Sequence, residues 1–286
     1  MILFNKGPLK PRVFLTGLLA ALVGWQVSLM AQEDLMDFDH TLQFARYLHS
    51  SNQFTFAAQE YERLHYLYPA HSTVLYELVK NYRYGENCEQ LGRSYDLFSR
   101  YGQLKQPLYT REYLNFCLTC RALRPEFQPL AGGLDESSET FYMLSYYWRT
   151  GRYDSAFAYN QQHRPLLESE YEPLYSLTVR FEEQNYKSPA LSLMMSAVVP
   201  GSGRAYSGRW RDAVISFVMI GTTAFTSYRA FSKKGIRSFN GWFLGGISFS
   251  FYISNLYGSF RAARNYNQQT VNRYQDEAGD IIRRYY

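Results

Sequence analysis

Two apolar runs in the C-terminal third limit what this chain can fold into more than any other feature. They cover residues 213–231 and 241–260, and a short basic loop, 232–238, separates them. Each run has about the length of helix, roughly 20 residues, that crosses the hydrocarbon core of a bilayer. No acidic residue occurs within residues 213–274. The pattern predicts a transmembrane helical hairpin, and the alternative is a buried hairpin inside a water-soluble helical domain.

The second apolar run carries small residues at every fourth position, so they share one face of a helix. Small residues at this spacing let two membrane helices approach closely. We expect this face to pack within the hairpin, against Gly221 and Ala224 of the first run; the alternative is dimerisation or docking on a partner. The face consists of Gly246, Ser250, Ser254 and Gly258.

A turn rich in glycine comes just before the hairpin, and residues 200–208 read PGSGRAYSG. It lacks the Gly-Lys-Ser/Thr ending of a phosphate-binding loop, and no strand is predicted before it. Its glycines fit a tight turn at a membrane surface instead. Basic side chains beside a tryptophan at such a turn predict contact with lipid head groups. These residues are Arg204, Arg209, Trp210 and Arg211.

The N-terminal segment, residues 1–31, has the pattern of a secretory signal peptide. A basic start is followed by an apolar run at 13–29 and by the small residue Ala31. The alternative is an N-terminal anchor that is not cleaved. With either, residues 32–187 are exported, and the basic loop between the two runs then lies in the cytoplasm. The charge of this loop agrees with the positive-inside rule, but Arg204, Arg209 and Arg211 on the other side weaken the agreement.

Residues 32–187 are predicted to form an all-helical domain with an internal repeat. In two places an aromatic residue stands three positions before an alanine: Phe54 before Ala57, and Tyr153 before Ala156. A single helix pair cannot bury its own apolar face, so neighbouring pairs must stack into an array. The alternative is a plain helical bundle.

The repeated units resemble tetratricopeptide repeats. The first unit matches the small, aromatic, apolar and terminating positions of that repeat at Ala57, Tyr61, Leu64 and Pro69. The later unit matches at Gly151, Tyr153 and Ala156. The resemblance implies a curved helical array that binds proteins or peptides.

Residues 188–267 resemble a small two-helix membrane domain of bacterial envelope proteins. The turn matches the pattern Pro-Gly-x-Gly-x-x-Tyr-x-Gly of that domain, and residues 255–267 resemble the end of its second helix and the segment after it. The family is largely of unknown function. The resemblance therefore implies a location in the envelope but gives no information about an activity. Residues 268–286 are then expected to be a polar tail.

The three cysteines allow two interpretations. Cys117 and Cys120 form a Cys-x-x-Cys in a predicted helix interior, whereas a redox motif usually begins a helix after a strand. In an oxidising compartment Cys88 would form a disulfide with Cys117 or Cys120. Buried free thiols are the alternative.

The sequence contains no recognisable pattern of an enzyme active site or of a nucleic-acid-binding surface. The five histidines are scattered, and no metal, cofactor or nucleophile–base set is recognisable in the sequence. The net charge is +5, and in the first two-thirds of the chain the basic residues are spread out and interleaved with acidic ones, without a concentrated basic patch. We therefore expect no cofactor and no nucleic acid as a partner.

Together these patterns predict a non-enzymatic scaffold or adaptor anchored in the bacterial inner membrane. Residues 32–187 would lie on the periplasmic side and bind a protein partner, in membrane-protein insertion or envelope assembly, while the hairpin contacts lipid. The alternative is a membrane-embedded enzyme or lipid-handling factor that uses the turn at 200–212. Its candidate residues are Arg204, Tyr206, Arg209, Asp212, Asn255 and Arg261.

Overall fold

The computed structural model of the protein describes residues 37–286, so the predicted signal peptide or anchor at 1–31 lies outside the described residues. Within that range the chain forms fourteen α-helices and three short 3₁₀ helices, and no strand. The all-α class predicted from the sequence is therefore confirmed. The chain divides into two compact units, of which the first ends at Phe116 and the second begins at Cys117.

Short helices joined by tight connections build the first unit. Loops of a few residues make consecutive helices neighbours in space. Asp37 starts the first helix by accepting a hydrogen bond from the backbone N–H of His40, at 2.8 Å. The helices are α1 (Phe38–Ser50), α2 (Phe54–Leu67), α3 (Ser72–Tyr84), α4 (Leu91–Arg100) and the start of α5 (Pro107–Cys120), with 3₁₀ turns at Cys88–Gln90 and Gln103–Lys105.

The core of the first unit contains the positions that the repeat pattern singled out. Ala57, Tyr61 and Leu64 are all buried on one face of α2, with the spacing of successive helical turns. Between the two repeated units, residues 72–100 form the helix pair α3 and α4. The helices and their buried faces are confirmed, whereas the type of repeat stays a prediction.

A buried ion pair also holds the first unit together. The Nε atom of Arg83 on α3 donates to Oε1 of Glu112 on α5 at 2.6 Å, and both side chains are buried. Burial alone would lower the pKa of Arg83, but the hydrogen bonds and the charge of Glu112 raise it above its ordinary value. Arg83 is therefore charged at any physiological pH, and its charge is compensated locally.

The second unit contains the remaining helices. The two predicted apolar runs are helical, and each lies within a single longer helix. A short helix, Phe127–Ala131, precedes the longer helix Glu136–Thr150. The helices are α6 (Phe127–Ala131), α7 (Glu136–Thr150), α8 (Tyr153–Gln162), α9 (Arg164–Glu170), α10 (Glu172–Glu182), α11 (Pro189–Val198), α12 (Ser202–Tyr206), α13 (Trp210–Lys234) and α14 (Phe239–Arg283), with a 3₁₀ turn at Gly235–Arg237.

Helix α14 is 45 residues long, about 68 Å of α-helix, and its two halves have different surroundings. The C-terminal half packs against α7, α8 and α10 of the same unit, where Tyr274 contacts Phe181 and Gln275 donates to the hydroxyl of Tyr153 at 2.6 Å. Asn267 exchanges two hydrogen bonds of 2.8 Å with the backbone of Lys187. The structure thus differs from the expected polar tail, because residues up to 283 continue the helix and line the core.

The N-terminal half of α14 forms an antiparallel hairpin with α13. The hydroxyl of Ser227 donates to the carbonyl of Gly241 at 2.7 Å, and that of Ser248 to the carbonyl of Ile220 at 3.3 Å. The ring of Phe231 packs onto Gly241, where a Cβ atom would lie 2.7 Å from the ring. By the usual hydropathy criterion, none of the helices within residues 37–286 is long and apolar enough to cross a membrane.

Candidate functional site

The glycines of the turn at 200–208 allow two close backbone approaches. A Cβ atom on Gly203 would collide with the carbonyl oxygen of Ser192 and lie 2.7 Å from the hydroxyl of Ser196. Gly201 has a φ of +91°, and a Cβ there would collide with the carbonyl oxygen of Ala213. The turn therefore needs glycine twice, once to seat α12 on α11 and once to bring the start of α13 against the turn.

A seam of serines joins α11 and α12 to α14. The hydroxyl of Ser192 lies within hydrogen-bond distance of two backbone carbonyls, those of Gly203 at 2.9 Å and Ser259 at 2.8 Å. The hydroxyls of Ser196 and Ser259 are 2.6 Å apart, and Ser196 also accepts a hydrogen bond from the backbone N–H of Gly203. All of these side chains are buried. The interface between these helices is thus polar and built from small residues.

Two polar groups in this region lack a hydrogen bond within the part of the chain that the structure describes. Asn255 is 1% exposed, and both atoms of its amide are without a partner there. The register of the hairpin puts Asn255 at the level of Ala213, beside the turn. The guanidinium of Arg204 packs on Gly258, and its buried Nε atom also has no partner among these residues. Buried polar atoms of this kind are rare in native proteins.

The outer surface of the same helices is strongly apolar. We call this surface the apolar belt; it is formed by large side chains of α13 and of the first half of α14, all of which are exposed. Isolated soluble proteins rarely expose contiguous apolar surface on this scale. The belt consists of Val214, Ile215, Phe217, Val218, Met219, Phe225, Phe243, Phe249, Phe251 and Ile253.

Most of the large exposed side chains of the hairpin are apolar, although Ser250 and Ser254 are exposed as well, and its buried side chains are small or polar except for Ile220. Facing inward on α13 and α14 are small or polar residues, among them Ser227, Ser248 and Asn255. In the C-terminal half of α14 large apolar or aromatic side chains are buried, as in most soluble proteins, among them Tyr274 and Ile282. The kind of residue that is buried therefore differs between the two halves of this helix.

Basic residues border the belt at both ends. At the end where α13 begins they come from the segment before α11, from α12 and the connection after it, and from α13 and α14; we call this set the first collar. The other end has Lys233, Lys234 and Arg237. Two contacts with α14 show where along that helix the first collar lies. Lys187 is hydrogen-bonded to Asn267, and Arg204 packs on Gly258. The first collar consists of Lys187, Arg204, Arg209, Arg211, Arg261 and Arg264.

An open apolar groove with a volume of about 500 Å³ lies between the end of α11, the turn and the start of α13. Met195 and Val199 form one wall, and Val214 and Phe217 form the other. Trp210 also lines the groove and is 68% exposed. The groove is continuous with the apolar belt through Val214 and Phe217.

The four residues predicted to contact lipid head groups do not form one cluster. Arg209, Trp210 and Arg211 are exposed at the start of α13, and Arg209 forms an ion pair with Asp212. Arg204 instead points toward α14. Their contact with lipid stays a prediction.

The predicted helix-packing face is mostly open. Gly246, Ser250 and Ser254 are exposed, and no atom lies within 4 Å of a Cβ position at Gly246. Only Gly258 is packed, against Arg204. Contacts inside the hairpin use Gly241, Gly245 and Ser248 on a neighbouring face of α14, while Gly221 and Ala224 are exposed. The structure therefore does not bring the predicted face against Gly221 and Ala224, and its role in dimerisation or in docking on a partner stays a prediction.

The cysteines and the residues of the alternative hypothesis can be located as well. Cys88 belongs to the first unit, and Cys117 and Cys120 to the second, so their predicted disulfide stays a prediction. Of the six residues suggested for an enzyme or lipid-handling factor, Tyr206 lines the groove and Arg261 lines a separate shallow depression on α14. No group of three potential metal ligands occurs within residues 37–286.

The serine seam was missed by the sequence reasoning, and Asn255 was singled out only as a candidate of the alternative hypothesis. The signal was present, since Ser192 and Ser196 are four residues apart in an otherwise apolar segment and therefore share one helix face. Comparison of the chain with protein-family models, with curated proteins and with solved structures finds no match.

Proposed function

We propose that this protein is a non-enzymatic adaptor, anchored in the bacterial inner membrane by the α13–α14 hairpin. Its region 32–187 lies on the periplasmic side and binds a protein partner. The proposal starts from two resemblances, one of residues 32–187 to tetratricopeptide repeats and one of residues 188–267 to a two-helix envelope domain. The process that the resemblance suggests is membrane-protein insertion or envelope assembly.

The observation that carries the proposal is the inverted polarity of the hairpin. In water, a helix pair gains stability by burying Phe, Ile and Val and exposing Ser and Asn. In this hairpin Phe217, Phe225 and Phe249 are exposed while Ser227, Ser248 and Asn255 are buried, and this distribution favours an apolar environment around the hairpin. Hydrocarbon provides that environment, because membrane helices associate through small and polar residues and face the lipid with large apolar ones.

The length of the hairpin and the positions of its two tryptophans support the same proposal. Residues 213–231 span about 29 Å as a helix, close to the roughly 30 Å of a hydrocarbon core. Trp210 and Trp242 stand at the starts of the two antiparallel helices, hence at opposite ends of the hairpin. Both are mostly exposed, as are aromatic residues at the two interfaces of a membrane. Serine, threonine and glycine lower the mean hydropathy of both helices, and among them Ser227, Gly241 and Ser248 lie on the inner faces.

Exposed aromatic side chains support the binding of a protein partner by the first unit. Phe44 and Tyr47 are one helical turn apart on α1, and Phe56 and Tyr66 are exposed on α2; Tyr66 is 85% exposed. Aromatic side chains contribute a large share of the binding energy at protein interfaces. None of them carries a charge that would favour a nucleic acid.

Cysteine labelling in intact spheroplasts tests location and topology together. We would introduce Tyr66→Cys and Lys234→Cys separately, fractionate the cells, and treat spheroplasts with a maleimide that does not cross membranes. The wild-type chain serves as the control for its own three cysteines. We expect both variants in the membrane fraction, with position 66 labelled in intact spheroplasts and position 234 labelled only after lysis. Recovery in the soluble fraction, or the opposite labelling, contradicts the proposal.

Binding of a partner is tested by photo-crosslinking in cells. A photoreactive amino acid at Tyr47 should give a discrete crosslinked species, whereas the same probe at Glu89, which is exposed outside the aromatic surface, should not. If neither position, nor Phe44 or Tyr66, gives a discrete adduct, the adaptor function is wrong even if the anchor is confirmed.

A further inference from the structure

We infer that the apolar groove beside the turn is a binding site for an anionic phospholipid of the surrounding bilayer. One acyl chain lies in the groove, and the phosphate lies at the first collar. This inference rests on the proposed membrane anchor and goes beyond it, because it assigns a specific lipid site rather than general contact with the bilayer.

The groove has the size and the lining that an acyl chain needs. Its volume of about 500 Å³ falls in the range of small-molecule sites, roughly 300–1,000 Å³. The walls are almost wholly hydrocarbon, from Met195, Val199, Val214 and Phe217. Burying a chain there removes apolar surface of both partners from contact with polar groups near the membrane surface.

The turn itself holds the groove open. Pro200 and Gly201 form its base, and Gly201 brings the turn against the backbone of Ala213 at the start of α13. Because Gly203 seats α12 on the serine seam, Ala205 on the other side of α12 faces the groove. The glycine turn therefore reverses the chain and also shapes the concave surface of the groove.

Charge next to the groove selects the head group. Tyr206 lines the groove, and the ammonium of Lys187 lies 4.8 Å from the centre of its ring. Arg209 and Arg211 flank Trp210, and Asp212 compensates only one of them through its ion pair with Arg209. The first collar has six basic residues, and Asp212 is the one acidic residue of the sequence between Gln184 and Gln275. The local potential is therefore positive and attracts a phosphate.

A phospholipid matches both parts of the site at once. Hydrocarbon without a charged end would leave the collar unused, and a free phosphate would leave the groove empty. The groove also opens onto the apolar belt, so a lipid already in the bilayer reaches it by lateral diffusion. The occupant is thus amphiphilic, anionic and supplied by the membrane itself.

Photo-crosslinking with labelled lipids tests this site. The full chain is reconstituted in vesicles of phosphatidylcholine that contain a small fraction of phosphatidylglycerol with a photoreactive acyl chain; a parallel sample contains phosphatidylcholine with the same chain. Mass spectrometry then locates the adducts. We expect phosphatidylglycerol adducts concentrated at residues 195–217, with several-fold fewer adducts from phosphatidylcholine.

Two pairs of variants sharpen the test. Ala205→Phe fills the groove and should abolish the concentrated adducts, whereas Ala230→Phe, near the other end of α13, should leave them unchanged. Arg211→Gln changes only an exposed charge and should lower phosphatidylglycerol labelling about five-fold, the effect of roughly one basic residue near an anionic surface. Arg229→Gln is its control.

The outcomes separate this inference from the proposed anchor. Uniform adducts along the belt, equal labelling by the two lipids, or full labelling of the Ala205→Phe variant overturn the lipid site and leave the anchor intact. Crosslinks to a second copy of the chain in this groove also overturn it. A chain that fails to enter vesicles at all contradicts the anchor itself.

Discussion

Gly203 on α12 lies against the backbone of Ser192 on α11 so closely that the carbonyl oxygen of Ser192 occupies the place of a side chain. The contact brings the N–H of Gly203 to the hydroxyl of Ser196 at 2.9 Å. Through Ser192 and Ser196 the turn is also connected to Ser259 on α14. One glycine therefore fixes three helices.

We expect Gly203→Ala to destabilise the hairpin, because the added methyl group must push α12 away from backbone atoms that cannot yield. The cost is at least that of overpacking a core, about 1–3 kcal/mol. Gly246→Ala is the matched control: it lies in open surroundings on α14 and should be neutral or stabilising by up to about 1 kcal/mol. Thermal stability in detergent, followed by size-exclusion chromatography, measures both; equal midpoints would contradict the close approach.

The serine seam makes a similar prediction with a smaller effect. Ser259→Ala removes the hydroxyl that lies 2.6 Å from Ser196, and should lower stability by about 0.5–2 kcal/mol. Ser250→Ala changes the same residue type at an exposed position of the same helix and should change stability little. If both substitutions have the same effect in the detergent assay, the seam does not contribute to packing.

In the first unit, the buried ion pair should respond very differently from an exposed one. Arg83→Met leaves Glu112 buried without its counter-charge and should cost about 3–5 kcal/mol. Arg93→Met breaks the more exposed pair with Glu62 and should cost less than about 1 kcal/mol. Denaturant unfolding of the full chain, with hydrogen exchange of α3 as a local readout, measures the difference. Comparable losses would contradict the burial of Arg83.

His65 makes the stability of the first unit depend on pH. Burial, and then the charges of Arg93 and Arg100, lower the pKa of His65 below its ordinary 6.5. The unfolded chain therefore binds this proton more tightly than the folded chain does. The contribution of His65 to stability is complete above pH 6.5 and is lost as the pH falls from there toward the lowered pKa.

We expect the unfolding midpoint of the wild-type chain to fall between pH 7.5 and pH 5, and to fall less in His65→Phe, which keeps a ring against Tyr101. Histidine titrations elsewhere are common to both proteins and cancel in the comparison. The same pH dependence in both proteins would show that His65 titrates normally in the folded state.

The sequence predicted much of this fold because periodicity and apolar length are local signals. The runs at 213–231 and 241–260 are helical, and Ala57, Tyr61 and Leu64 are buried at the positions that the repeat pattern indicated. The glycines of the turn were expected to serve a tight turn, and Gly201 has the positive φ that such a turn requires.

The rest depended on contacts that no local pattern specifies. Which face of α14 turns inward is decided by Ser192 and Ser196 on a helix more than 60 residues away in sequence. Residues 268–286 appeared polar in composition, but Tyr274, Ala278 and Ile281 recur at helical spacing and are buried. That stripe was readable from the sequence, and its neighbours α7 and α10 were not.

Quenching of tryptophan fluorescence by brominated lipid tests the central claim most directly. Trp210 and Trp242 are 68% and 64% exposed at opposite ends of the hairpin, whereas Trp148 is buried in the second unit. The test uses a Trp25→Phe background, because Trp25 lies in the N-terminal apolar run. In vesicles whose acyl chains are brominated near the head group, this chain should lose much of its fluorescence, and adding Trp210→Phe or Trp242→Phe should each reduce that loss. Equal fluorescence in brominated and plain vesicles, for the background chain and both variants, would contradict a hairpin embedded in the membrane.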